Sequence, residues 1–216
     1  MKLVAACAFG LEAVVKRQLI ALGYTPRGDA SGRVAFEGDW TDVCKTNLWL
    51  RSADRVLIEL MKFDCADFDQ LYDTVKAYRW ADWISVDGEF PVTGRSRKSK
   101  LTSVPAVQRT AKKAIVESLQ RDHHCMTLPE TGPTWKIDVA LLDDVATLTL
   151  DTTGPGLNKR GYRKLTGHAP IRETLAAALI ELSVWKPQRV LVDPFCGTGT
   201  IPIEAALIAL NIAPGL

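Results

Sequence analysis

The chain has 216 residues, 47% of them hydrophobic and 24% charged, and a net charge of +2. That length suits one large domain or two small ones with an ample core, and no apolar run approaches the ~20 residues that a membrane-spanning helix needs. Five cysteines scattered without a CxxC pair argue for a reducing, cytoplasmic setting and against disulfides or a structural zinc site.

Lys2 to Cys7 reads as a first strand, and Glu12 and Lys16 follow too soon for a secretory leader. A helix opens at Gly10, with Leu11, Val14, Val15, Leu19 and Leu22 on one face, Glu12 and Lys16 as an i,i+4 pair, and Gly23 as its stop. Tyr24–Arg27 and Arg33–Phe36 suggest a strand pair turning through Gly28–Gly32. A second helix over Thr41–Leu50 and a strand over Arg55–Phe63 complete a strand–helix–strand–strand–helix–strand order. That order suits a ferredoxin-like α+β unit, and nothing in it demands catalysis.

Asp67 is placed to cap a helix carrying Phe68, Leu71, Tyr72 and Val75. Trp80 and Trp83 follow, with packing preferred over base stacking. A strand from Glu89 runs to Arg97. Ser103 and Pro105 then sit in cap and first-turn positions of a helix with Val107, Ala111, Ala114, Ile115, Ser118 and Leu119 facing inward. Cys125 beside His123 and His124 offers a metal cluster only on paper, since no further ligands lie nearby, and no metal is expected. Trp135–Leu142 and Val145–Leu150 alternate in polarity and read as a hairpin turning at Asp143-Asp144.

The charge is unevenly spread. Gly94–Arg121 holds eight Lys/Arg against one acid, Glu117, and Gly154–Arg172 holds five Lys/Arg and no acid. The first island places Arg95, Arg97, Lys98 and Lys100 on a loop leading to Arg109, Lys112 and Lys113 on a helix; the second supplies Lys159, Arg160, Arg163 and Lys164. Such islands in an otherwise acidic chain suit phosphate contacts; a pair of solvated loops is the alternative. Pro170 suits a helix N1 position, with Ile171, Leu175, Ala178, Leu179 and Leu182 sharing the face after it.

Near the end, Val190–Val192 is an apolar run typical of a buried parallel strand. Asp193 and Pro194 end it, Gly197 and Gly199 allow a tight turn, and Ile201–Leu210 suits an apolar helix. As a pattern alone, this fits an ordinary βα turn or an anion-binding helix start.

The string DPFCGTGTIPIEAA resembles the first S-adenosylmethionine (SAM) motif of a class I methyltransferase family that carries an N-terminal THUMP domain and acts on guanine N2 in RNA. The segment RSRKSKLTSVPAVQRTAKKAIVESL with its following hairpin resembles the THUMP domain, and LNKRGYR with HAPIRETLAA resembles the passage before the SAM motif. The resemblance implies an α+β ferredoxin-like unit over 1–44 (or as far as about 65), THUMP over 45–151, a basic linker over 152–170, and the start of an α/β Rossmann-like domain over 171–216. It implies SAM as cofactor, with Asp193, Pro194, Cys196, Gly197, Thr198, Gly199 and Thr200 beside it. Ala169, Pro170 and Glu173 would lie near the cofactor, and Glu204 would support the loop. It implies structured RNA as partner, bacterial large-subunit rRNA before tRNA; a non-catalytic RNA-binding module is the alternative.

The family's later Asn-Pro-Pro-Tyr-type motif has no counterpart, because no Asn-Pro pair occurs. A truncated family member is therefore expected, one that keeps RNA affinity and lacks methyl transfer.

Overall fold

A computed structural model of the chain describes residues 1–30, 32–163 and 170–216. The elements in order are β1 (Lys2–Ala6), α1 (Glu12–Ala21), β2 (Arg27–Ala30), β3 (Arg33–Glu37), α2 (Trp40–Trp49), β4 (Arg55–Asp64), α3 (Phe68–Ala77), a 3₁₀ turn (Trp80–Asp82), β5 (Val92–Arg97), α4 (Val104–His123), β6 (Ile137–Leu142), β7 (Val145–Asp151), α5 (Glu173–Leu182) and α6 (Thr200–Ala209). The chain forms two compact units, Met1–Ile58 with Thr152–Leu216, and Glu59–Asp151.

In the first unit the strand order is β2-β3-β1-β4, with antiparallel pairing throughout. Leu3 on the central strand faces Phe36 on one side and Ile58 on the other. With Val14, Val15 and Leu19 of α1, these residues are fully or almost fully buried. This is the ferredoxin-like arrangement expected. Of the two expected boundaries, 44 and about 65, the first falls within α2, where Lys45 lies midway, and the chain leaves this unit after Ile58.

The α1 stop explains one correction. Gly23 takes φ +96° while its N–H bonds to Ile20 O and the Tyr24 N–H bonds to Leu19 O, a Schellman closure. Tyr24 is thus committed to the helix end and to Asp42, to which its hydroxyl donates at 2.7 Å. The strand expected over Tyr24–Arg27 starts instead at Arg27, with a register shift before Asp29. Glu12 accepts a 2.7 Å bond from the Gly32 N–H, linking α1 to the β2–β3 turn. The capping box at Asp39 and Asp42, which starts α2, was not among the expected features.

The chain returns to this unit at Thr152, whose Oγ1 donates to Val56 O at 2.7 Å while Thr153 Oγ1 accepts from the Val56 N–H at 2.8 Å. Here α5 departs from expectation. It starts at Glu173 rather than Pro170, and Leu179 and Leu182 are exposed. Beyond Glu173 at its start, the buried positions are Thr174, Ala176, Ala177, Ala178 and Ile180, because α5 packs on α1 and α6 through small residues. Ala178 meets Leu11 and Val14, with Cys7 and Leu175 beside them.

The strand expected at Val190–Val192 does not form: Val190 is 90% and Val192 78% exposed. An apolar strand of this kind needs neighbouring strands for its ladder and helices for its faces, and no described strand pairs with it.

In the second unit the order is β4-β7-β6-β5, with β5 parallel to β6 and β6 antiparallel to β7. Helix α4 buries Val107, Ala111, Ala114, Ile115, Ser118 and Leu119, the face its periodicity predicts. Ser103 occupies its N-cap position but makes no side-chain capping bond. Asp67 does cap α3, accepting from the Gln70 N–H at 2.8 Å. Trp80 is fully buried and donates to Val75 O at 2.8 Å, so it packs rather than stacking on a base. The β6–β7 hairpin turns at Asp143 and Asp144, both left-handed with φ +50° and +59°, as a two-residue type I′ loop requires.

Candidate nucleic-acid interface and cofactor loop

The first basic island lies in the Glu59–Asp151 unit. Along β5 the side chains alternate, and Thr93, Arg95 and Arg97 are exposed. The other side faces α4, and a Cβ at Gly94 would come within 3.0 Å of Gln108 Cγ, so glycine there lets α4 approach. Beyond Arg97 the loop carries Lys98, at φ +51°, and Lys100, both exposed, before buried Leu101 anchors the chain again. Among the described residues Arg97, Lys98, Lys100 and Arg109 are exposed and make no ion pair, which leaves their charges available.

The remaining members of this island are partly committed. Arg95 is half-exposed and pairs with Asp138 at 3.0 Å. Lys113 is largely exposed and 3.9 Å from Glu117. Lys112 is a correction: its Nζ donates to Phe90 O at 3.1 Å and to Glu130 at 2.9 Å, and sits 3.5 Å from the Phe90 ring centroid. That cation holds the unit together rather than facing a ligand.

The second island corrects the expectation more sharply. Lys159 is exposed. Arg160 is buried in an ion pair with Glu204, an α6 residue that is 0% exposed, and also donates to Arg51 O. Tyr162 donates to the other Glu204 oxygen at 2.8 Å. Arg163 donates to Ile171 O at 2.9 Å and Thr200 Oγ1 at 2.8 Å, and lies 3.4 Å from Glu173. Arg160 and Arg163 therefore bind the chain's own acids and are withdrawn from any polyanion, because burying an unpaired charge costs too much. Burial raises the Glu204 pKa, and Arg160 opposes that rise. Lys164 and Ala169 lie outside the described residues.

That polar core underlies the glycine loop. Gly197 and Gly199 take φ +53° and +74°, and Gly199 is the N-cap of α6. The Gly199 N–H bonds to Cys196 O at 2.8 Å, and Asp193 accepts from the Phe195 N–H at 3.2 Å. Pro194, Cys196, Gly197 and Thr198 are exposed and Asp193 is half-buried. A Cβ at Gly197 would meet nothing within 4 Å, so its left-handed backbone, not crowding, calls for glycine. Thr200 is buried, 3.2 Å from Thr198 Oγ1, and accepts from Arg163. It acts as a support behind the loop rather than a donor in front of it. Glu204, expected to support the loop, is held by Arg160 and Tyr162. His123 lies 3.0 Å from Ile84 O and His124 is a left-handed helix C-cap. Among the described residues no group of three potential ligands gathers for a metal.

Three domain families match successive parts of the chain: the RlmL ferredoxin-like domain over residues 2–57, the THUMP domain over 65–151, and the RMKL-like methyltransferase domain UPF0020 over 160–216. In order along the chain, the matches are thus to a ferredoxin-like domain, a THUMP domain and a methyltransferase domain. It is similar to "Putative RNA methyltransferase YpsC" of Bacillus subtilis (strain 168), at 51% identity over 215 residues, covering 99% of this chain and 56% of that protein. A Listeria monocytogenes crystal structure, titled a predicted N6-adenine-specific DNA methylase, matches with TM-score 0.95 and 51% identity over 99% of this chain and 56% of that one. SMU.472, a methyltransferase structure complexed with SAH, matches with TM-score 0.92 and 47% identity over 99% and 57% of the two chains. This THUMP-containing chain thus spans a little over half the length of these relatives.

The sequence reading missed which acids meet the basic islands: Asp138 and Asp144 touch the first from β6 and the β6–β7 turn, and Glu173 and Glu204 neutralise the second from α5 and α6. Only the Asp-Asp turn carried a local signal.

Proposed function

We propose that this chain is the RNA-binding and cofactor-loop portion of a SAM-dependent RNA methyltransferase, with guanine N2 as target and large-subunit rRNA ahead of tRNA as substrate. The observation that carries it is the exposed, unpaired set Arg97, Lys98, Lys100 and Arg109 on a THUMP unit, in a chain similar to a named RNA methyltransferase. Cations of this kind take phosphates without reading sequence. The rRNA preference and the guanine target rest on the resemblance of the SAM motif and its leader. The unpaired cysteines suit a cytoplasmic protein.

The glycine loop fits one end of SAM: an open, left-handed backbone at Gly197 and Gly199, the start of α6, and Asp193 beside them. SAM, when bound, supplies a methyl group to an amine nucleophile. The residues present here would hold and orient its methionine end, catalysis resting mainly on positioning. Arg163 and Glu204 would keep the loop and α6 in place from behind.

Two titrations test this reading. Fluorescence anisotropy with rRNA and tRNA stem-loops, across a salt series, should show affinity that weakens steeply with salt; no binding to any structured RNA at moderate salt would sink the RNA reading. Isothermal titration with SAM, repeated with Gly197→Val, tests the loop. Binding abolished by that substitution supports the cofactor assignment, and binding indifferent to it contradicts it.

A further inference from the structure

We propose that Asp144 is a positioning residue of the RNA surface, whose carboxylate holds the Arg97–Lys100 loop in the shape that presents its cations. This rests on the RNA reading above. An acid inside a polyanion-binding surface is a liability on charge alone, so its presence there needs a reason, and its bonds supply one. Asp144 Oδ1 accepts from the Lys100 N–H at 2.6 Å. The Asp144 N–H donates to Ser99 Oγ at 3.0 Å, and that hydroxyl donates in turn to Arg97 O at 3.1 Å. The Asp143 N–H reaches Arg97 O at 3.3 Å, and Asp144 O accepts from the Cys65 N–H at 2.7 Å. The hairpin turn therefore grips the backbone at Arg97, Ser99 and Lys100, and is itself fixed to the end of β4.

The loop needs gripping. Lys98 takes φ +51°, a conformation a non-glycine residue keeps only where its surroundings impose it. Three cations in four residues also repel one another, which favours an open, spread loop in the absence of ligand. A loop already held in its binding shape loses less conformational freedom on association. Ser96 Oγ, donating to Leu101 O at 2.6 Å, closes the base of the same loop.

Positioning and bare electrostatics predict opposite signs, which makes the test decisive. Asp144→Gly keeps the left-handed turn, since glycine accepts φ +59° freely, but removes the acceptor for the Lys100 N–H and one negative charge. Asp144→Asn removes the charge but keeps an oxygen acceptor and tolerates the same backbone. Affinity for a labelled structured RNA would be measured for the full chain and both variants over a salt series, with thermal unfolding of each as a check on folding. Asp144→Gly should bind about three- to tenfold more weakly, with a salt dependence shallower by roughly one phosphate contact. Asp144→Asn should bind at least as tightly as the parent. Tighter or unchanged binding by Asp144→Gly would overturn the proposal, and so would an Asp144→Asn as weak as Asp144→Gly. Silence of the parent chain toward RNA would instead overturn the RNA reading, and this proposal with it.

Discussion

Arg97 and Arg160 stand in stretches of the same kind, each rich in cations and nearly free of acids. Arg97 ends an edge strand of the Glu59–Asp151 unit and stays in solvent, with Lys98 and Lys100 beyond it. Arg160 is buried in the other unit, against Glu204, Tyr162 and the Arg51 carbonyl. The difference is not in the stretches but in what the fold brings to them. Helix α6 delivers a buried carboxylate to Arg160 from 44 residues away, and α5 delivers Glu173 to Arg163. Beside Arg97, on the hairpin turn, Asp144 accepts from the Lys100 backbone rather than from a cationic head. One island is therefore a surface and the other part of a polar core behind the glycine loop. The lesson is that net charge counted along the chain marks a polyanion footprint only where the fold supplies no counter-charge.

The comparison breaks most readily at Glu204. Glu204→Gln would leave the Arg160 guanidinium buried without its counter-charge, an expected loss of about 3–5 kcal/mol measurable by urea unfolding. A loss below about 1 kcal/mol would mean that Arg160 escapes to solvent and that the islands are alike after all. Arg97→Glu should change stability by no more than about 0.5 kcal/mol, as for an exposed side chain free of special contacts. Reversing Arg97, Lys98 and Lys100 together should instead lower RNA affinity on the order of tenfold or more and flatten the salt dependence by about one unit for each lost phosphate contact. Lys112→Met should leave that slope unchanged, since its cation already serves Phe90 and Glu130. Arg163→Lys sharpens the contrast from the buried side. A lysine cannot span Ile171 O, Thr200 Oγ1 and Glu173 together, and the loss should be about 1–2 kcal/mol.

What was legible in the sequence follows the same division between local and distant causes. The inward face of α4, the Asp67 cap, the Gly23 stop and the Asp143-Asp144 hairpin all depend on neighbours within a turn or two, and each formed as read. The ferredoxin-like order was legible because two strand–helix periods repeat. The start of β2 was not, because the Schellman closure that occupies Tyr24 leaves no trace in polarity alternation. The buried face of α5 was not, because a helix so rich in alanine shows little contrast between its sides, and its neighbours chose Ala176, Ala177 and Ile180 over Leu179 and Leu182. Of the site, the glycine loop was legible in its left-handed positions, whereas the support beneath it came from Arg163 and Glu204, read respectively as an RNA contact and as an unspecified brace.

The smallest expected effect separates the acids of the two units by pH. Burial raises the Glu181 pKa against the opposing pull of Gln18, which donates to it at 2.8 Å, and of Arg51. Hydrogen bonds from Lys76 and Tyr72 lower the pKa of Glu117, in the other unit. A carboxyl whose pKa is higher in the folded state holds its proton longer there than in the unfolded chain. Its contribution to stability is therefore full below the unfolded value of about 4.3 and is lost as pH rises through the folded value. For Glu117 the sign reverses: its contribution is present above about 4.3 and is lost as pH falls through the lowered folded value. Glu181→Gln should accordingly match or exceed the parent in stability at pH 7, with the difference narrowing toward pH 4. Glu117→Gln should be the less stable at pH 7, and its deficit should shrink only at lower pH. Urea midpoints across that range decide the matter. Parallel pH profiles for the two variants would mean that Glu181 is as well solvated as Glu117, and would leave the contrast between the units to Glu204 and Glu173 alone.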